Sequence, residues 1–394
     1  MEEFVKIILH PKKERSLKLF HPWVFSGAVA KTDGNPSEGD IVEIFTHEGE
    51  YIATGHFHNG SIKVRIFSFE RTDAGEDFWL NKLLYAYQLR KNLGLIENKN
   101  TNMYRLVHGE GDNLPGLIID IYGSIAVIQT HTIGMHKVLP DILASLKKIY
   151  GINLEAVYDK SMDTMGKQLG EQVNNRFLMG DIQEKVLLEN DILFNVNWVQ
   201  GQKTGFFLDQ KENRKLLEKY SEGKKVLNTF SYSGGFSMYA LKGGASIVHS
   251  VDSSKKAVEL SEINAQLNGF GERHSVFAID VFDFLKKTEE KYDIIILDPP
   301  AFAKHLSAVE NAMVGYRNLN TEGFKRVKEG GIMFTFSCSQ VIDRALFRKL
   351  VFQAAAQAKR KVRIIHQLSQ GPDHPVSIYH PEGEYLKGLV MVVD

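Results

Sequence analysis

Cysteine is nearly absent from this chain: among 394 residues there is one, Cys338. A single thiol excludes an intramolecular disulfide and any Cys-rich zinc site, and it fits a reducing, cytoplasmic setting. Long apolar runs are missing too. The longest, residues 294–297 with their flanks, reads as a buried strand, so no membrane-spanning segment is expected. The opening Met1-Glu2-Glu3-Phe4 has neither the basic nor the apolar part of a secretory signal. Charge of one sign is not in excess, with 48 basic and 48 acidic residues. A neutral total argues against an extended phosphate-binding surface but leaves room for a local basic face. His56 and His58 alternate along a strand; two ligands are too few for a metal, so a surface pair and no metal are expected. There is no low-complexity tract and no internal repeat.

What is present divides into three parts. Residues 1–72 form a small β unit, in which strand-like runs at 4–9, 41–45, 51–56 and 61–67 are separated by Asp33-Gly34-Asn35-Pro36 and Asn59-Gly60. Residues 73–200 mix helical patterns at 79–95 and 135–150 with strands at 104–107, 116–122, 125–129 and 155–158, an α+β pattern. From about Lys224 the rhythm becomes strand, helix, strand, helix, with strands at 225–228, 246–251, 275–278, 292–297 and 331–336. Such α/β alternation predicts a mostly parallel sheet with helices on both faces. Ligands of these sheets lie beyond the carboxyl ends of the strands.

Polar residues cluster at those ends. After the first strand, Asn228-Thr-Phe230-Ser231-Tyr232-Ser233-Gly234-Gly235 opens into a helix, and its glycine pair lets backbone approach a ligand closely. Asp252 ends the second strand, placed to accept both hydroxyls of a ribose, with Ser253 beside it. Asp280, followed by Val281, comes after the third strand and could accept from an adenine amino group. Each aspartate alone could be an ordinary helix cap; three together favour an adenosine-containing ligand. The phosphate-cradling glycine spacing of a dinucleotide site is absent, whereas S-adenosylmethionine has no phosphate to cradle.

The fourth strand ends in Asp298-Pro299-Pro300-Ala301-Phe302-Ala303-Lys304. Consecutive prolines hold the backbone extended and leave carbonyls free of neighbouring N–H donors, which suits gripping the edge of a planar base. The fifth strand ends in Ser337-Cys338-Ser339. A thiolate added to C6 of cytosine would make C5 nucleophilic toward a sulfonium methyl, and Asp298 could assist at N3. Only about 3% of an ordinary thiol is ionised at pH 7, so Cys338 needs a nearby cation, for which Lys304 is one source. A buried structural thiol is the plainer alternative.

At these residues the chain resembles the class I methyltransferase fold and, within it, the bacterial large-subunit rRNA cytosine-5 methyltransferase family (the RlmI-like enzymes). The resemblance spans nearly the whole chain. His21-Pro22-Trp23-Val24-Phe25-Ser26-Gly27 is similar to that family's N-terminal PUA domain, a small RNA-binding barrel, and residues 104–112 to its central-domain hairpin. Its most distinctive stretch is Gln202-Lys203-Thr204-Gly205-Phe206-Phe207-Leu208-Asp209-Gln210, with Asn213-Arg214. The resemblance implies S-adenosylmethionine as cofactor and places Gln202, Phe206, Asp209 and Arg214 against its pocket. It implies RNA as partner, 23S rRNA naked or partly assembled, and leaves a homodimer open. Lys12, Lys13, Arg15 and Lys18, flanking Phe20, His21 and Trp23, are the candidate RNA contacts. With no second cysteine, removal of the C5 proton falls to water or another base. Two other functions stay open: methylation of a guanine or adenine nitrogen on the same fold, and an RNA-binding assembly factor with a vestigial cofactor pocket. His374, Tyr379 and His380, read as part of the C-terminal strand region, could border the site.

Overall fold

The computed structural model describes residues 4–169, 174–303 and 305–394. Lys304 lies outside them. The chain forms two compact units: residues 1–187, 196–206 and 372–383 make the first, and residues 188–195, 207–371 and 384–394 the second.

The first unit holds two sheets. One has six strands in the order Trp23–Phe25, Ile62–Ser68, Tyr51–Phe57, Ile41–Phe45, Val5–Leu9, Val29–Asp33. Val5–Leu9 runs parallel to Ile41–Phe45 and antiparallel to Val29–Asp33. Alternating Ile7, Leu9, Val42, Ile44, Val64 and Ile66 supply its core, the period-two pattern of a half-buried sheet. The other sheet has five strands, and helices Glu76–Asn92 and Leu139–Tyr150 share a core with it. Among its polar ties, Arg105 grips Asp120 with two bonds of 2.7 and 2.8 Å.

Some expectations change here. The helix read over 135–150 is two, Ile133–Lys137 and Leu139–Tyr150, because Pro140 at the start of the second lacks the N–H that would continue the first. His56 and His58 are not a surface pair but buried, 2% and 8% exposed. His58 Nδ1 bonds Glu38 at 2.8 Å, and the His56 ring stacks on Trp79. Burial pushes the His56 pKa down to about 3. Tyr379 and His380 lie in no strand: they belong with residues 372–383 of the first unit, where His380 packs 4.3 Å from the Trp23 ring.

The second unit is built on a seven-stranded sheet. In chain order its strands are β1 (Lys225–Thr229), β2 (Ile247–Asp252), β3 (His274–Ala278), β4 (Tyr292–Leu297), β5 (Val327–Ser337), β6 (Val362–Leu368) and β7 (Lys387–Val393). Their spatial order is β3-β2-β1-β4-β5-β7-β6. Strands β3 to β5 pair in parallel, and β7 runs antiparallel to both β5 and β6. The helices are α1 (Lys211–Glu218), α2 (Gly235–Lys242), α3 (Lys255–Leu267), α4 (Val281–Lys287), α5 (Val309–Arg326) and α6 (Arg344–Gln357). Five of the six β4 residues are buried, as expected of a strand covered on both faces. Strand order reverses at β1, with β2 on one side and β4 on the other, and this is where open α/β sheets bind ligands. The C-terminal strand region, expected without bounds, is β6 and β7, and β7 brings its first residue, Lys387, opposite Ser337.

Candidate active site

The segment leaving β1 is conformationally unusual. Phe230 and Tyr232 adopt φ of 54° and 45°, and Gly234 follows at 78°. Left-handed backbone at two non-glycine residues costs energy and clusters at functional sites. The strain is held by specific bonds. Tyr232 N donates to Asp252 Oδ2 at 3.0 Å, Ser231 N to the Val251 carbonyl, and Gly234 N back to Ser231 O. A Cβ on Gly234 would lie 2.2 Å from Ser261 Oγ, so glycine is required there on two counts.

Asp280 caps a helix, whereas Asp252 does not. Asp252 Oδ1 also accepts from Ser254 N, and Asp280 Oδ1 accepts from the N–H groups of Phe282 and Asp283 at the start of α4. Carboxylate oxygens have further lone pairs, so neither bond set exhausts its aspartate. Helix α3 is capped by Ser254, while Ser253 stays exposed. The Val281 side chain is in the core, leaving its backbone as the part available to a ligand.

Asn228 is buried and turned toward Ser237, donating to its hydroxyl at 2.9 Å. Its Oδ1 has no hydrogen-bond partner, nor do the buried Ser231 Oγ and Asp209 Oδ1. Buried acceptors without partners are costly and rare in native proteins. These three, of six among the described residues of the second unit, fit a ligand bearing ammonium and hydroxyl donors, as the amino-acid part and ribose of S-adenosylmethionine do.

The Gln202–Gln210 stretch divides between the units. Gln202 and Phe206 belong to the first, where the Phe206 N–H donates to the Tyr122 hydroxyl and Thr204 Oγ1 donates to Asp120. Asp209 and Gln210 belong to the second. Gln210 Nε2 donates to Asp298 Oδ2 at 3.1 Å, and Tyr385 donates to Asp209 Oδ2 at 2.7 Å. Arg214 is held by a carboxylate and packs beside Gly235. Its guanidinium is buried against Glu189, with bonds of 2.7, 2.8 and 2.9 Å, and it also donates to the Phe207 carbonyl. That makes it an anchor for α1.

Beyond β4, burial and then the Asp209 charge push the Asp298 pKa up to about 7, against the Gln210 bond and Arg214, which pull it down. A carboxyl so placed is divided between acid and carboxylate near neutrality. Cys338, half-buried, points its thiol at the Pro299 carbonyl, with Sγ to O at 3.9 Å. Pro299 is buried and Pro300 exposed, and the Phe302 ring lies 4.6 Å from Tyr316. The Tyr316 hydroxyl pairs with Ser339 Oγ at 2.9 Å. Lys387 Nζ donates to the carbonyls of Ser339 and Tyr385 at 2.6 and 2.7 Å. Cys338, Pro299, Asp298, Gln210, Asp209, Tyr385 and Lys387 are thus joined by contacts along one edge of the sheet. Tyr385 and Lys387 were missed from sequence; Lys387 opens β7 and Tyr385 lies two residues before it.

Residues 169–384 match the S-adenosylmethionine-dependent methyltransferase model, and residues 7–69 match a PUA-like domain. The chain is 39% identical to "Ribosomal RNA large subunit methyltransferase I" of Aeromonas hydrophila, over 98% of each chain. The protein of that name from Vibrio vulnificus is 37% identical, over 98% of this chain and 99% of its own. The chain belongs to this methyltransferase family. Among solved structures, SMU.776 complexed with SAH superposes with a TM-score of 0.85 at 25% identity, over 98% of this chain and 99% of that one. A Streptococcus mutans protein, 24% identical, gives a TM-score of 0.84 over the same shares and supports the fold. This family member is therefore an S-adenosylmethionine-dependent enzyme with a PUA-like unit ahead of its catalytic sheet. Among the described residues, no group of three or more His, Cys, Asp or Glu side chains is arranged to hold a metal, and no helix is long and apolar enough to cross a membrane.

Proposed function

We propose that this methyltransferase converts a cytosine of large-subunit (23S) rRNA to 5-methylcytosine, through a transient bond between Cys338 and C6 of the base. The observation that carries the reading is the pairing of the half-buried Cys338 thiol with the Asp298-Pro299 edge, where Sγ lies 3.9 Å from the Pro299 carbonyl and Asp298 titrates near neutrality. A nitrogen target needs no covalent adduct, whereas C5 of cytosine does.

Bound S-adenosylmethionine supplies an electrophilic methyl group. Asn228, Ser231 and Asp209, with their buried unpartnered oxygens, would hold its amino-acid part and ribose together with Asp252, and Asp280 with the Val281 backbone would hold its adenine. Cys338 attacks C6 as a thiolate, and the electron pair moves to C5. Asp298, in its protonated form, donates at N3 and stabilises the charge that reaches it. After methyl transfer a base takes the C5 proton; the electron pair re-forms the C5–C6 double bond, Sγ leaves C6 as a thiolate, and N3 returns its proton to Asp298. Pro299, Pro300 and Phe302 border the space a base would enter. The target nucleotide must leave its stack, which favours naked or partly assembled rRNA. In this reading residues 1–72 recruit RNA, 73–200 form an intervening α+β part, and 201–394 carry the chemistry.

The test is Cys338→Ala. We expect S-adenosylmethionine binding unchanged by calorimetry, methyl transfer to rRNA abolished, and 5-methylcytidine as the wild-type product in nucleoside mass spectrometry. Full transfer by the variant, or a methylated purine as product, overturns the reading.

A further inference from the structure

Lys387 is 97% buried, since only 3% of its surface is exposed. Its ammonium donates to two neutral carbonyls, Ser339 O and Tyr385 O, and among the described residues no carboxylate lies within salt-bridge distance. A buried cation without a counter-anion is expensive. The register of β5 and β7 puts Lys387 opposite Ser337, and its bond to Ser339 O brackets the residue between them, Cys338. The surrounding charges do not supply the missing anion. Arg344 of α6 pairs with Glu384, Asp343 caps α6, and Tyr316 of α5 bonds Ser339. Cys338 is the neighbour able to become an anion.

We propose that Lys387 is the positioning residue that holds Cys338 as a thiolate, its ammonium serving as the counter-cation. The inference rests on the reading of Cys338 as nucleophile and adds the means of its activation. The thiol proton leaves to solvent while Lys387 stays protonated; the thiolate expelled from C6 at the end of turnover returns to the same cation. Burial lowers the Lys387 pKa to about 8 and the Cys338 charge pushes it back up, so the ammonium persists at neutral pH. Lysine beside a cysteine is an established way to lower a thiol pKa. The lone cysteine makes the effect measurable without ambiguity.

The experiment is the pH profile of iodoacetamide alkylation on the full chain, followed by mass spectrometry, in wild type, Lys387→Met, Lys387→Gln and Lys387→Arg. Glutamine keeps a donor for the carbonyls without the charge, which guards against a misfolded methionine variant. Wild-type Cys338 should ionise below the ordinary pKa of about 8.5. Methionine and glutamine should raise it by about one unit or more, slowing alkylation at pH 7 roughly tenfold, with arginine restoring most of the rate. S-adenosylmethionine affinity should stay within about twofold in all four, since Lys387 acts through the thiol. A wild-type pKa at or above the ordinary value overturns the proposal. So do coincident profiles, or reactivity that falls only in step with cofactor affinity. No RNA enters the assay: a Lys387-dependent thiol in an enzyme that makes no 5-methylcytidine would defeat the cytosine reading alone.

Discussion

Asp298 links chemistry to stability at the scale of one carboxyl group. Its ordinary pKa near 4 is raised to about 7, chiefly by burial, so the folded state binds a proton that the unfolded chain releases. The contribution to stability is therefore fully present below about pH 4 and is lost as pH rises toward and through 7. Asp298→Asn replaces the group with a neutral amide and should remove that loss. The variant's advantage in unfolding free energy should grow between about pH 4 and 7 and level off above, reaching a few kcal/mol at most. Its methyl-transfer rate should fall about 100-fold or more, the usual worth of a positioned acid. Wild-type activity should be bell-shaped, rising as Cys338 ionises and falling as Asp298 does. A variant that keeps wild-type transfer would remove Asp298 from the mechanism, and parallel stability curves would show that its proton is not taken up on folding.

Elements decide where these groups meet, and the segment between β1 and α2 is built under strain. Gly234→Ala places an L side chain at φ 78° with its Cβ 2.2 Å from the buried Ser261 hydroxyl. We expect at least about tenfold weaker S-adenosylmethionine binding by calorimetry and a loss of about 1–3 kcal/mol in stability. Gly60→Ala, which meets nothing within 4 Å, is the control and should be neutral. Equal effects from both would mean that the segment's shape does not matter for the cofactor. Much of this element was legible beforehand, because alternating strands and helices imply their own topology and a glycine pair after a strand marks a close approach. Asp252, Asp280, Asp298 and Cys338 could be placed at strand ends for the same reason. The Arg214–Glu189 pair could not be read: the partners are 25 residues apart, and burial of that pair is a tertiary fact. The same holds for Lys387, whose meaning depends on antiparallel pairing of β7 with β5, a contact that local pattern does not encode. His56 and His58 were misjudged because strand alternation shows which residues share a face, not whether another element covers it.

At the scale of the whole molecule, zero net charge argues against indiscriminate binding of nucleic acid, so any RNA surface must be local and use more than charge. The first unit exposes aromatic rings close in sequence to cations. Phe20, Phe25 and Tyr379 are each about half exposed. Phe20 and Tyr379 meet at 5.4 Å although 359 positions separate them, and Phe25 lies 6.1 Å from His21. Trp23 stands behind them, its indole donating to Glu110 and its face covered by Arg65 at 4.8 Å. Exposed Lys12, Lys13, Arg15 and Lys18 lie in the adjoining sequence. Aromatic faces stack on unpaired bases for roughly 1–3 kcal/mol each, whereas cations act on phosphates and impose salt dependence. The two sets should therefore separate experimentally. Changing Phe20, Phe25 and Tyr379 together to Ala should weaken binding of single-stranded rRNA fragments about tenfold or more with the salt slope preserved. Changing the four cations to Gln should flatten the dependence of log affinity on log salt by up to about 3. Calorimetry with S-adenosylmethionine should show no change in either variant, because none of the substituted residues is assigned to the cofactor. Unaltered RNA affinity in both would dismiss this face as the recruiting surface. Loss of salt dependence in the aromatic variant would mean that the rings only position the lysines.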